Sequence, residues 1–303
     1  MYRTDIPDYI MDIRREDAKK PFCDEREFPG AVMRLESWPS CKGTTKVAIY
    51  RPIDADCSLP CFFFIHGGGW TTRNLQFLDD FCRLCTQICH ICVVSPEYML
   101  APESGYPEMP QECLDCIEYA RSHCLQLGID ITRMAIGGDS AGANLAAGIC
   151  TRLVEEKKNY FLAQLLYYGA FDLTGTLLSE GVKPAQGILD GNESVFRPAE
   201  FGVYCRKAYV GNNDPADIYI SPACASPEIL KKLPRTFMAV GGKDSMEFQS
   251  VNYGKKLADS GVEVTYIRYP QGVHAILSRK TEGYDDLLKT TYRYLNSVFI
   301  KDN

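Results

Sequence analysis

Five consecutive residues, Gly138-Asp139-Ser140-Ala141-Gly142, carry the sharpest chemical signal in the chain. A G-x-S-x-G run between a strand and a helix is a nucleophile elbow, whose small residues allow a tight turn that lifts the serine hydroxyl above the sheet. The surroundings fit: Arg133-Met134-Ala135-Ile136 reads as a strand, and Ala143-Asn144-Leu145-Ala146-Ala147 continues as a helix. The competing reading is a glycine-rich turn whose serine only caps the helix. A serine alcohol is a poor nucleophile at neutral pH. A reactive Ser140 therefore needs a base, and a third group to orient that base, and the resulting chemistry is acyl transfer.

Only four histidines could serve: His66, His90, His123 and His274. With this type of elbow the chain order is serine, acid, histidine. His274 alone follows Ser140, in the loop Gln271-Gly272-Val273-His274-Ala275 just after a strand ending at Tyr269. That is the carboxyl edge of the sheet, where open α/β folds bind ligands. The acid is expected after the preceding strand, 235–240, which runs into Gly241-Gly242-Lys243-Asp244. Asp244 is the favoured candidate, with Glu247 and Asp172 as competitors.

A tetrahedral intermediate also needs preorganised N–H donors. His66-Gly67-Gly68-Gly69-Trp70 follows the apolar run 61–65 and offers a glycine run whose amides can approach closely, with a further donor expected from Ala141. No Lys-Ser/Thr follows the glycines and they do not match G-x-G-x-x-G, which argues against a nucleotide site. His66 is expected to be structural. Trp70 is expected to line the substrate pocket, against the alternative of a core indole.

Positioning these residues is the task of an alternating pattern. Candidate strands at 31–36, 45–51, 61–65, 91–95, 133–136, 161–168, 235–240 and 262–269 alternate with helical patterns at 74–88, 109–127, 141–155, 246–260 and 284–299. Such alternation predicts an α/β fold with a mostly parallel, eight-stranded sheet flanked by helices, and the continuously apolar strands suit a sheet covered on both faces. The first two strands should form an antiparallel hairpin. Residues 1–30, with a helical stretch near 9–19, and the interval 173–232 break the alternation. A structureless loop of that length is improbable in a compact domain, so both are expected to form a small cap on one domain spanning 1–303.

The formal net charge is −6, and there is no long basic run, which disfavours nucleic acid and anionic membranes as partners. The longest apolar run is too short to span a bilayer, and the polar start has no apolar leader core, so a cytoplasmic location is expected. Fourteen cysteines then point to free thiols in a reducing compartment. Three C-x-x-C pairs (82/85, 89/92, 113/116) mimic metal motifs. The spacing i, i+3, i+7 of Cys82, Cys85 and Cys89, and i, i+3 of Cys113 and Cys116, instead predicts small hydrophobes on buried helix faces.

Taken together, His66-Gly67-Gly68-Gly69, Gly138-Asp139-Ser140-Ala141-Gly142, Asp244 and His274 resemble the hormone-sensitive-lipase-like family of α/β-hydrolases. Glu97-Tyr98-Met99-Leu100-Ala101-Pro102-Glu103 is similar to that family's Y-R-L-A-P-E segment, with Met99 in place of the Arg. The resemblance covers roughly residues 45–300. It implies the α/β-hydrolase fold and a carboxylesterase of small-molecule, short-chain esters, probed first as acetyl esters. It also implies a triad of Ser140, Asp244 and His274 and an oxyanion hole of Gly67, Gly68 and Ala141, and no metal or cofactor is required. The same machinery would serve an amidase, peptidase or thioesterase, and a hydrolase-fold binding protein would be expected to lack a triad member. The C-terminal helix and a sheet edge are surfaces on which a homodimer can form.

Overall fold

The computed structural model describes residues 6–55, 57–175 and 200–299. Eight strands build one sheet: β1 (Ala31–Ser40), β2 (Gly43–Pro52), β3 (Leu59–Ile65), β4 (Cys92–Glu97), β5 (Ile129–Asp139), β6 (Ala163–Tyr167), β7 (Arg235–Gly241) and β8 (Val264–Tyr269). Their spatial order is β1-β2-β4-β3-β5-β6-β7-β8. Strand β2 runs antiparallel to both β1 and β4, and all other neighbours are parallel. The eight expected strands and the opening hairpin are all present. Ten helices accompany them among the described residues: α1 (Asp8–Asp17), α2 (Asp79–Cys89), α3 (Glu108–Ser122), α4 (Cys124–Leu127), α5 (Ala141–Glu155), α6 (Phe201–Val210), α7 (Pro227–Leu230), α8 (Glu247–Asp259), α9 (Ile276–Arg279) and α10 (Tyr284–Phe299).

Strand β3 shows why the sheet is covered on both sides. Every one of its residues is buried, and its side chains alternate between two cores, as the period of a strand requires. Phe63 and Ile65 pack with Cys113, Leu145 and Leu257 from α3, α5 and α8. Phe62 and Phe64 pack with Phe81 and Leu295 from α2 and α10. The chain leaves β3 to form β4 on one side and later returns to form β5 on the other. The carboxyl ends of β3 and β5 therefore flank a topological switch point, the usual ligand crevice of such sheets.

Two helical expectations differ in detail. The stretch 109–127 is broken at His123 into α3 and α4, and the pattern from 74 opens as a 3-10 turn, Leu75–Leu78, before α2. Of the segments expected as a cap, 1–5 and 176–199 lie outside the described residues. Helix α1 appears near its expected place, whereas α6 was not foreseen. Among the described residues no helix is long and apolar enough to cross a membrane.

Candidate active site

Ser140 stands between the end of β5 and the start of α5 with φ 52° and ψ −116°. A non-glycine residue at positive φ outside the left-handed well costs of order 1–3 kcal/mol, so the surroundings must enforce it. Ser140 N–H donates to the Tyr167 carbonyl at 2.8 Å, tying the turn to β6. On the other side β3 presses against the turn. A Cβ on Gly142 would lie 2.0 Å from the Ile65 carbonyl oxygen, and one on Gly138 would lie 2.5 Å from that oxygen. The two glycines of the motif are thus required by the close approach of neighbouring backbone.

His274 lies beyond β8 and Asp244 beyond β7. Ser140 Oγ is 2.9 Å from His274 Nε2, and His274 Nδ1 is 2.9 Å from both carboxylate oxygens of Asp244. An ionised Asp244 requires a proton on Nδ1, which leaves the Nε2 lone pair to accept from the serine hydroxyl. The Asp244 side chain is fully buried and that of His274 only 18% exposed. Asp244 Oδ1 also accepts from Met246 N–H at 2.7 Å, which fixes the carboxylate plane. The competing acids are engaged elsewhere: Glu247 holds Arg268, and Asp172 accepts from the Thr174 amide and hydroxyl. Tyr168 meets the imidazole edge-on at a centroid distance of 5.3 Å. Its hydroxyl accepts from Leu277 N–H. No sequence motif singles out this neighbour.

The glycine loop needs a correction. The Gly67 amide donates to Asp139 Oδ1 at 2.6 Å and Gly67 is buried, so this N–H is engaged and cannot also serve an oxyanion. Gly68 and Gly69 are partly exposed. Among the described residues none accepts from the amides of Gly68, Gly69 or Ala141. Among the described residues the amides left without an acceptor are therefore those of Gly68, Gly69 and Ala141, one glycine further along than the expected Gly67 and Gly68. Asp139 itself is almost completely buried. Burial pushes its carboxyl up to about 6, against the opposing pull of the Gly67 amide, His274 and Arg73.

Trp70 also departs from expectation. It is 5% exposed and stacks on Tyr209 of α6 with centroids 4.7 Å apart, so it packs the loop against α6 within the core. His66 is structural in the way expected. Its ring stacks on Tyr98, Nδ1 meets the Gly67 carbonyl at 2.8 Å, and burial lowers its pKa. Tyr98 O–H donates to the His66 carbonyl at 2.8 Å, which links the segment resembling Y-R-L-A-P-E to the glycine loop.

Cys82, Cys85, Cys113 and Cys116 are buried on α2 and α3, and burial pushes their thiols up, so they pack as neutral groups. Cys89 is half-buried at the end of α2. No cluster of three or more His, Cys, Asp or Glu suited to a metal occurs among the described residues.

An elbow serine at the switch point of a mostly parallel sheet, with an acid and a histidine reaching it from the next strand ends, defines an α/β-hydrolase. A family model described as the alpha/beta hydrolase fold matches residues 62–278. The chain belongs to this family, in its hormone-sensitive-lipase-like branch. The carboxylic ester hydrolase LipN of Mycobacterium tuberculosis is 32% identical to it over 254 residues, 80% of this chain, and the chain spans 64% of that relative's length. The acetyl esterase of Salmonella dublin is 24% identical over 300 residues, which cover 95% of this chain and 89% of the relative. A thermostable esterase from Pseudomonas putida shares the fold, with a TM-score of 0.83 at 22% identity over 97% of this chain and 91% of its own.

Proposed function

We propose that the protein is a serine carboxylesterase of short-chain, acetyl-type esters. Ser140 is the nucleophile, His274 the general base and then acid, and Asp244 the residue that orients the imidazole. The observation that carries this reading is the unbroken path from Ser140 Oγ through the two ring nitrogens of His274 to Asp244, with every link at 2.9 Å. As Oγ attacks the ester carbonyl its proton passes to Nε2, and the ionised Asp244 stabilises the imidazolium through Nδ1–H. The amides of Gly68, Gly69 and Ala141 receive the developing oxyanion. Collapse breaks the bond to the alcohol, which leaves with the proton from Nε2. A water then repeats the sequence, activated by His274, and releases the acid and Ser140. No step requires a metal or cofactor.

The acyl preference draws on the likeness to the acetyl esterase, which runs over most of both chains. A cap made of residues 1–30 and the interval 173–232 would cover the serine. The number of buried thiols suits a reducing compartment such as the cytoplasm.

Two measurements test the proposal. Ser140→Ala should lower hydrolysis of a 4-nitrophenyl acetate by at least about 10³-fold and abolish labelling by a fluorophosphonate; retention of most of the activity would overturn it. Across acetyl, butyryl, octanoyl and lauroyl esters, kcat/KM should fall after butyryl. A maximum at the long chains would reject the acyl-length part alone.

A further inference from the structure

The loop that follows β3 is held from outside by α1. This helix has a stripe of Ile10, Ile13 and Asp17, all buried, at the i, i+3, i+7 spacing of one face, and Arg14 lies beside it. Arg14 Nε donates to the Thr71 carbonyl at 2.7 Å, and Nη2 donates to the Ala101 carbonyl at 2.7 Å. The same guanidinium pairs with the Glu103 carboxylate. One turn on, Asp17 Oδ2 accepts from the Arg73 amide at 2.7 Å, and the Asp17 carbonyl accepts from Asn74 Nδ2 at 2.8 Å. Ala101 N–H in turn donates to the Trp70 carbonyl at 2.8 Å. Helix α1 thus grips the peptides on both sides of Thr72.

The turn they bracket closes on one acceptor. The Gly68 carbonyl receives Thr71 N–H at 3.2 Å, Thr72 N–H at 3.0 Å and Thr72 Oγ1–H at 2.7 Å. The Gly68 carbonyl and the Gly69 amide belong to one planar trans peptide, so they point in opposite directions. Fixing that oxygen toward Thr71 and Thr72 fixes the Gly69 N–H away from them. The flanks of the Thr71–Thr72 turn are what Arg14 and Asp17 hold.

We propose that Arg14 and Asp17 are positioning residues for the reaction: through the Thr71–Thr72 turn, the N-terminal helix sets the direction of the Gly69 amide toward the oxyanion. The inference rests on the reading of Ser140 as nucleophile and of Gly69 as an oxyanion donor. Neither side chain touches the reacting atoms. Their effect must therefore appear in the transition state and not in ground-state binding.

The test compares Arg14→Ala, Arg14→Lys, Asp17→Ala and Asp17→Asn with the parent enzyme in kcat, KM and melting temperature. Affinity is measured for an alkyl trifluoromethyl ketone, which serine converts to a tetrahedral adduct, and for the matched methyl ketone. Arg14→Ala should lower kcat by about 100-fold, the loss typical of a misplaced oxyanion donor, with KM within about threefold. Trifluoromethyl ketone affinity should fall in parallel, and methyl ketone affinity should hold. Arg14→Lys and Asp17→Asn each keep a group that can make one of the backbone bonds, so they should fall between the parent and the alanine variants. A lower melting temperature with kcat unchanged would overturn the proposal by making α1 merely a stabilising element. A raised KM with kcat unchanged would overturn it by making α1 a wall of the substrate site. If the parent enzyme shows no preference for the trifluoromethyl ketone, or Ser140→Ala retains it, the underlying reading of the site fails instead.

Discussion

Asp139 pits two effects of known sign against each other. Its carboxylate accepts the Gly67 amide, which favours the charged form, but burial disfavours that form more strongly and pushes the group up to about 6 from the ordinary 3.8. Between these values the folded chain holds a proton that the unfolded chain has released. Stability therefore falls as pH rises through that window, by about 3 kcal/mol in total, and the loss is complete above pH 6. Asp139→Asn keeps an oxygen for the Gly67 amide and removes the charge. It should raise unfolding free energy at pH 7.5 by about 1–2 kcal/mol, because its new N–H groups offset part of the gain. It should also flatten the decline between pH 4 and 6, as urea titrations across that range would read. A variant less stable than the parent at pH 7.5 would show that the hydrogen bond outweighs burial. The same residue explains an error in reading the loop. The structure brings together Ser140 and His274, which motif and scarcity single out, and Asp244, which follows the strand before the histidine strand. A run of three glycines does not tell which amide turns inward; that depends on Asp139, which the G-x-S-x-G pattern leaves unspecified.

Among the elements, the junction of β3, β5 and α5 leaves the least room. The position of a Cβ on Gly142 is 2.0 Å from the Ile65 carbonyl oxygen and 2.6 Å from that of His66. Both obstacles are backbone, so no rotamer change relieves them. Gly142→Ala should destabilise the fold by about 3 kcal/mol or more. The elbow must also shift, and displacing Ser140 and the Ala141 amide by about 1 Å should lower kcat about 100-fold. Gly202 in α6 makes the opposite case, since among the described residues a Cβ there meets nothing within 4 Å. Gly202→Ala should stabilise by about 0.5–1 kcal/mol through helix propensity. Urea midpoints and acetyl-ester kinetics on the two variants would check both directions, and equal effects would sink the packing argument. Helix α6 leaves little trace in the sequence. It buries only Cys205, Tyr209 and Val210, and Glu200 supplies no side-chain cap, so neither a long apolar stripe nor a start signal stands out in its sequence. The strands were legible for the contrary reason: runs such as Cys61 to Ile65 are apolar on both faces because helices cover both.

At the scale of the whole molecule, the order of strands was beyond sequence reading, because it is written in which helix faces meet which side of the sheet. The path of residues 18–30 was equally hidden, although it joins the helix that grips the glycine loop to the first strand of the sheet. A buried ion pair anchors it. Arg83 Nε lies 3.1 Å from Asp79 Oδ2, with side chains 1% and 0% exposed. Asp79 accepts the Cys23 amide at 2.8 Å, and the Arg83 guanidinium approaches Glu25, the Ala31 carbonyl and the Phe28 ring. Removing one partner of such a pair strands a buried charge, whereas removing both charges does not. Arg83→Met should therefore lose about 3–5 kcal/mol. Asp79→Asn with Arg83→Met should recover most of that loss, since asparagine can still accept the Cys23 amide. In the single variant the segment that carries Lys19, Lys20 and Arg26 should also become more open to trypsin, ahead of global unfolding. If the double variant is as unstable as the single one, Arg83 acts through its contacts to the Ala31 carbonyl, Glu25 and the Phe28 ring and not through the pairing of its charge with Asp79.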